Sequence, residues 1–141
     1  DPHFHALVHE LMKTVCVCAS KKYKDEVAQF CSALQKFGVV VFEPNITEPI
    51  PEEAFFHTKR LTKTIFKGLT LEHFDWIRKA DVVFIYNKDD YVGASVTLEI
   101  GYACALGKPM YALCEKTGDP CRDSLIDKVV STPEKLADLL K

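Results

Sequence analysis

A rhythm constrains this chain more than any other feature: short, near-continuous apolar runs alternate with segments of helical period. Thr14–Ala19 (TVCVCA), Val39–Phe42, Asp81–Tyr86 (DVVFIY), Met110–Cys114 and Lys128–Val130 are the runs, bounded by polar, Gly or Pro residues. Runs of this length with little polar alternation read as strands covered on both faces. Between them the spacing changes. After Lys24, Val27, Phe30, Cys31 and Leu34 fall at i, i+3, i+4 and i+7, and Phe37-Gly38 supplies a helix stop. Helical character returns from Glu52 to Ala80, in two pieces expected to break near Gly68, the second carrying Phe74, Trp76 and Ile77 toward the core. A further helix, Ser95–Leu106, ends at Gly107-Lys108-Pro109, and a terminal one, Pro133–Leu140, has Pro133 in its first turn. Pro44, Pro49 and Pro51 mark Asn45–Pro51 as a loop.

Strands alternating with helices predict an α/β fold: one flavodoxin-like, doubly wound domain with a five-stranded parallel sheet in the order 2-1-3-4-5 and helices on both faces. A length of 141 residues suits one such domain, placed at residues 13–141. Residues 1–12 (DPHFHALVHELM) form an N-terminal extension without an assigned role. The formal net charge of −2 gives no footprint for nucleic acid or an anionic membrane. Val82–Tyr86, among the longest apolar runs, is too short to cross a bilayer, and the N-terminus does not read as a signal peptide, so the expected location is the cytoplasm and the expected partner a small molecule. Cys16 and Cys18 share a strand face, but there is no CxxC and no paired HxxxH set; Cys31 and Cys104 fall in predicted helices as small hydrophobes. Six reduced thiols, no metal and no cofactor are expected. GxGxxG and GxxxxGK[ST] are both missing, which counts against dinucleotide and P-loop sites.

In doubly wound sheets ligands bind beyond the carboxyl ends of the strands, where the strand order reverses. That rule selects Ser20–Lys24 after the first strand and Asn87–Glu99 after the third. Glu99 is the single charge in SVTLEIGYACAL, a helix apolar nearly all round. Burying a carboxylate costs several kcal/mol unless it is paired. A capping box on Ser95 would need its acid at Leu98, one residue earlier. Glu99 is therefore the candidate nucleophile or general base. In the preceding loop Asn87, Asp90, Tyr91 and Gly93 can accept from sugar hydroxyls, stack on a ring or let a ligand approach backbone; Ser95 opens the helix. Ser20, with Lys21 and Lys22, can meet a phosphate. His73 shares a stripe with Ile77 and Ala80 and points partly inward, as a core histidine or a site residue.

The stretch HFDWIRKADVVFIYNKDDYVGASVTLEIGYACALGKPMYAL resembles the nucleoside 2-deoxyribosyltransferase family, including its nucleotide N-glycosidase relatives. A strand opening at Asp81, a loop containing Gly93, then Glu99-Ile-Gly-Tyr-Ala103 and Gly107-Lys-Pro109 carry the resemblance, which extends over roughly Lys13 to Cys114. It implies a glutamate nucleophile at Glu99 that displaces a base from the anomeric carbon, the glycosyl-enzyme then passing to a second base or to water. It also implies a homodimer. Family members often carry an Asp where this chain has His73, which marks a divergent branch and keeps open a non-catalytic nucleotide-binding or sensing domain. Two other readings rank lower. Val-Cys-Val-Cys-Ala-Ser suggests a cytokinin-type nucleotide phosphoribohydrolase but lacks its glycine-rich PGG loop; a flavodoxin-like electron carrier rests on the fold alone.

Overall fold

The central apolar runs become strands because their side chains are buried on both faces of one sheet, whereas the edge runs are half-buried at Val41–Phe42 and exposed at Lys128–Val129. The computed structural model describes residues 12–44 and 59–141. The elements are β1 (Val15–Ala19), α1 (Lys24–Lys36), β2 (Val41–Phe42), α2 (Lys59–Lys79), β3 (Val82–Tyr86), α3 (Ala94–Ala105), β4 (Met110–Ala112), α4 (Pro120–Asp123), β5 (Lys128–Val129) and α5 (Pro133–Leu140). Single 3-10 turns, Lys21–Tyr23 and Lys88–Asp90, follow β1 and β3. All pairings are parallel and the order is 2-1-3-4-5. The central pair is the longest, with Val15 opposite Val82 and Ala19 opposite Tyr86. The expected loop Asn45–Pro51, the first part of the helical stretch and the N-terminal residues 1–11 lie outside the described residues.

Strand alternation sorts the core into two layers. Val15, Val17, Val82 and Phe84 meet α1 and α5 through Val27, Phe30, Leu34, Leu136 and Leu140. Cys16, Cys18, Val83, Ile85, Met110 and Ala112 face the opposite way, onto α2 and α3 through Ile77, Val96, Ile100 and Ala103. Helix ends follow their local chemistry. Thr132 caps α5 by accepting from the Lys135 N–H at 3.2 Å, with Pro133 in the first turn. Gly107, at φ +70°, takes the left-handed conformation that closes α3.

Three details depart from the sequence reading. First, α2 runs unbroken through Gly68, whose position is open: a Cβ there would meet nothing within 4 Å. One exposed glycine costs a helix about 1 kcal/mol, less than the buried stripe around it supplies. Second, α3 starts at Ala94 after Gly93, with no side-chain cap, and only its Val96-Glu99-Ile100-Ala103 stripe is buried. Leu98 is 59% exposed and Cys104 is exposed too, because an apolar neighbour in sequence is not a neighbour in space. Third, α4 was not expected; Asp119 caps it by accepting from the Cys121 N–H at 2.8 Å, with Pro120 in the first turn.

Candidate functional site

Four side chains from three elements converge beneath the point where the strand order reverses, between β1 and β3. Cys16 and Cys18, two apart on β1, present their thiols to the same layer. His73 sits on α2 four residues before Ile77, so the same stripe carries it against the sheet. Glu99 lies between Val96 and Ile100 on the buried stripe of α3. The His73 Nε2 is 3.2 Å from the Cys18 Sγ, 3.6 Å from the Cys16 Sγ and 3.3 Å from the Glu99 Oε2. The last contact has ion-pair distance without hydrogen-bond geometry, so the Glu99 Oε2 is a buried oxygen with no hydrogen bond.

The electrostatics follow from that burial. Desolvation pushes the Glu99 carboxyl up to about 7, against the opposing pull of the His73 charge. The Cys16 thiol is lowered to about 6, first by the hydrogen bond from Cys18 and then by His73, against its own desolvation. Burial raises the Cys18 thiol well above the usual range. The His73 imidazole is raised: burial disfavours its charge, but Cys16 and Glu99 together outweigh burial. Near neutral pH the Cys16 thiol is therefore largely ionised and the Glu99 carboxyl near its midpoint, with the charged form of His73 favoured between them. Such displaced values cluster at functional sites.

Above this cluster the two loops selected from sequence are knitted together. Ser20 caps its 3-10 turn by accepting from the Lys22 N–H at 3.2 Å. Tyr23 donates to Asp89 at 3.2 Å, and Lys88 pairs with Glu26 at 2.6 Å. Tyr91, 40% exposed, meets the Tyr23 ring edge-on, and the Lys22 ammonium lies 4.7 Å from its centroid. The Tyr91 hydroxyl also lies 3.4 Å from where a Cβ on Gly93 would stand. Asp89 and Asp90 take left-handed φ of 59° and 57°, a conformation that aspartate tolerates better than most residues. Asn87 is fully buried, and its amide is spent on protein: it donates to the Cys114 and Lys116 carbonyls and accepts from the Cys114 N–H. Ser95 is exposed on the first turn of α3.

Sequence reasoning passed over Arg122. Its guanidinium donates to the Thr97 hydroxyl at 3.1 Å, the Thr117 hydroxyl at 3.3 Å and the Thr117 carbonyl at 3.0 Å, tying the first turn of α3 to the segment after β4. Asp119-Pro120, an acidic cap followed by proline, was the local signal for the turn that presents it. The pairing of Cys16 and Cys18 with His73 was also missed. It spans more than fifty residues of sequence and leaves no local trace.

A doubly wound sheet with a desolvated carboxylate below its switch point defines an α/β domain with a candidate small-molecule site where such folds bind their ligands. The family model for nucleoside 2-deoxyribosyltransferase matches residues 17–132, and the chain belongs to that family as a divergent member. Solved structures share the fold. A 2-deoxyribosyltransferase from Bacillus psychrosaccharolyticus superposes with a TM-score of 0.59 at 20% identity, covering 89% of this chain and 90% of that one. A conserved protein from Enterococcus faecalis V583 gives 0.57 at 16%, covering 90% and 96%. The Clostridium botulinum CMP N-glycosidase gives 0.52 at 17%, covering 91% and 97%. At such identities the likeness speaks to the fold alone. No curated protein matches the chain.

Proposed function

We propose that this protein cleaves or exchanges the N-glycosidic bond of a nucleoside or nucleotide, with Glu99 as nucleophile. The observation that carries the reading is the Glu99 carboxylate: buried at the switch point, raised to about 7, with one oxygen lacking any hydrogen bond. A carboxylate stripped of water is both more basic and more nucleophilic than one in solution. Its oxygen attacks the anomeric carbon as the bond to the base breaks, and the base leaves with the bonding pair. The resulting glycosyl ester is resolved by a second base in transfer or by water in hydrolysis. The names of two fold neighbours, a 2-deoxyribosyltransferase and a CMP N-glycosidase, support both outcomes.

In this reading Tyr91 stacks on the bound ring, Ser20, Asp90, Gly93 and Ser95 contact sugar or phosphate, and Asn87 shapes the loop that presents them. His73 tunes the nucleophile by charge from 3.3 Å. The working unit is residues 13–141, a homodimer in the cytoplasm acting on a small molecule. Among the described residues no helix is long and apolar enough to cross a membrane. The exposed Leu98 of α3 and Leu71 of α2 support a second copy packing over α2 and α3.

Base release by chromatography tests the activity, using nucleosides and 5′-monophosphates with and without a second base, beside Glu99→Gln. Free base from the unmodified protein and none from the variant is the expected result. No release from any substrate, with nucleotides still raising Tm equally in both proteins, overturns it in favour of a binding domain.

A further inference from the structure

We propose that Cys16, Cys18 and His73 form a binding site for a soft divalent cation, zinc(II), with the Glu99 carboxylate at the fourth position. The two thiols and the His73 Nε2 all lie within 4.8 Å of one another. Cys16 and Cys18 are fully buried and His73 is 9% exposed.

The separations match what one ion requires. Tetrahedral zinc, with bonds of about 2.3 Å to sulfur and about 2.0–2.1 Å to nitrogen or oxygen, sets its ligand atoms about 3.6 Å apart for sulfur and nitrogen and about 3.4 Å apart for nitrogen and oxygen. The sulfur–nitrogen separations here are 3.6 Å and 3.2 Å, and the nitrogen–oxygen separation is 3.3 Å. Two sulfurs on one ion stand about 3.8 Å apart, within reach of side-chain rotation from the 4.8 Å limit.

The second observation concerns hydrogen bonding rather than spacing. The Glu99 Oε2 is buried without a hydrogen bond and faces the cluster at the His73 Nε2. A buried charged oxygen is expensive to leave unmatched, and a bound cation supplies the missing partner. Two thiolates and the Glu99 carboxylate bring three negative charges to the two positive charges of the ion, so with the imidazole bound neutral the site carries one net negative charge. Binding releases the protons of the two thiols. The surrounding shell is aliphatic, with Ile77, Val83, Ile85, Val96 and Ile100 in the same layer. Sulfur-rich sites in dry surroundings select zinc over magnesium or calcium, which take oxygen ligands.

This inference does not rest on the glycosyl reading, since it needs no nucleoside, and it competes with it for the Glu99 oxygen. A carboxylate bound to the ion does not attack, so the metal-loaded and the base-releasing protein are different states of one site. The test uses the full chain, reduced and stripped with a chelator, then titrated with cobalt(II) as an optical probe and with zinc in competition. One equivalent should bind, with a sulfur-to-cobalt charge-transfer band and the visible bands of a tetrahedral ion. Zinc should erase the spectrum and raise Tm. Cys16→Ser and Cys18→Ser should each lose the charge-transfer band or cut its intensity by about half, while Cys104→Ser, altered at an exposed thiol, should keep it. If the strand variants do not fold, the spectrum and stoichiometry of the unmodified chain decide. A folded, reduced chain that shows no tetrahedral cobalt spectrum, or one that survives loss of both strand thiols, overturns the site. A chain that releases base yet binds no metal likewise overturns it, whereas an inactive chain that binds one equivalent supports it.

Discussion

Glu99 bears on stability as well as chemistry, and the sign of the effect can be worked out. Its folded value of about 7 lies above the ordinary 4.5, so between those values the folded state holds a proton that the unfolded state has lost. Raising the pH through that window therefore removes stability, and above about 7 the full cost of a buried charge remains. Cys16 runs the other way, its lowered thiol favouring the fold as pH climbs from about 6 toward 9, and the raised His73 imidazole also titrates beside it. The comparison must therefore be made against a variant lacking only the carboxyl. In the metal-free protein, Glu99→Gln should be more stable than the unmodified chain at pH 8, the difference shrinking toward pH 5. Denaturant unfolding at the two pH values measures it; a gap that widens on acidification contradicts the assignment. In the base-release assay the same variant should fall by at least about 1,000-fold, the loss expected when a nucleophile is removed.

Elements decide how firmly those residues are placed. Because α2 carries His73 and passes through an exposed glycine with open space around it, Gly68→Ala should stabilise the protein by about 0.5–1 kcal/mol. A rise in Tm with unchanged base release is the expected pair of results; a drop in Tm would mean that α2 is broken at Gly68 after all. The first turn of α3 depends on Arg122, which reaches the Thr97 hydroxyl while that hydroxyl donates to the Gly93 carbonyl at 2.8 Å. Arg122→Ala should cost about 1–3 kcal/mol, since it removes a charged donor from three oxygens in a partly buried network. Lysine cannot reproduce the forked geometry, so Arg122→Lys should recover less than half of that loss. Urea unfolding of the two variants checks the order. The helix rhythm made these elements legible from Val27-Phe30-Cys31-Leu34 and from the Glu99 stripe, but the continuity of α2 was not, because a local propensity cannot weigh the packing that overrides it.

At the scale of the whole molecule α3 presents apolar side chains to solvent. Its buried stripe faces the sheet, yet Leu98 and Leu106 remain 59% and 41% exposed. If a second copy covers this face, Leu98→Glu should shift the protein from dimer to monomer in light scattering while leaving the fold intact by circular dichroism. A chain that is already monomeric, or a variant that stays dimeric, sinks the proposed packing. The parallel sheet with its central β1–β3 pair was readable as a whole, since only strands buried on both faces tolerate runs such as Asp81–Tyr86.

Sequence alone determined the alternation of strands and helices, the reversal point between β1 and β3, and the anomaly of one carboxylate in an apolar helix. These are local properties: periodicity, turn residues and a single charge among hydrophobes can be read one window at a time. Tertiary structure decided what that carboxylate meets. Cys16, Cys18 and His73 lie far from Glu99 along the chain, and each taken alone reads as an ordinary core residue. Strand alternation turns both thiols to one face, and packing of α2 and α3 on that face then sets the imidazole 3.3 Å from the carboxylate. Only in that shared, water-poor space do four groups perturb one another's protons, because charge interactions strengthen as solvent is excluded.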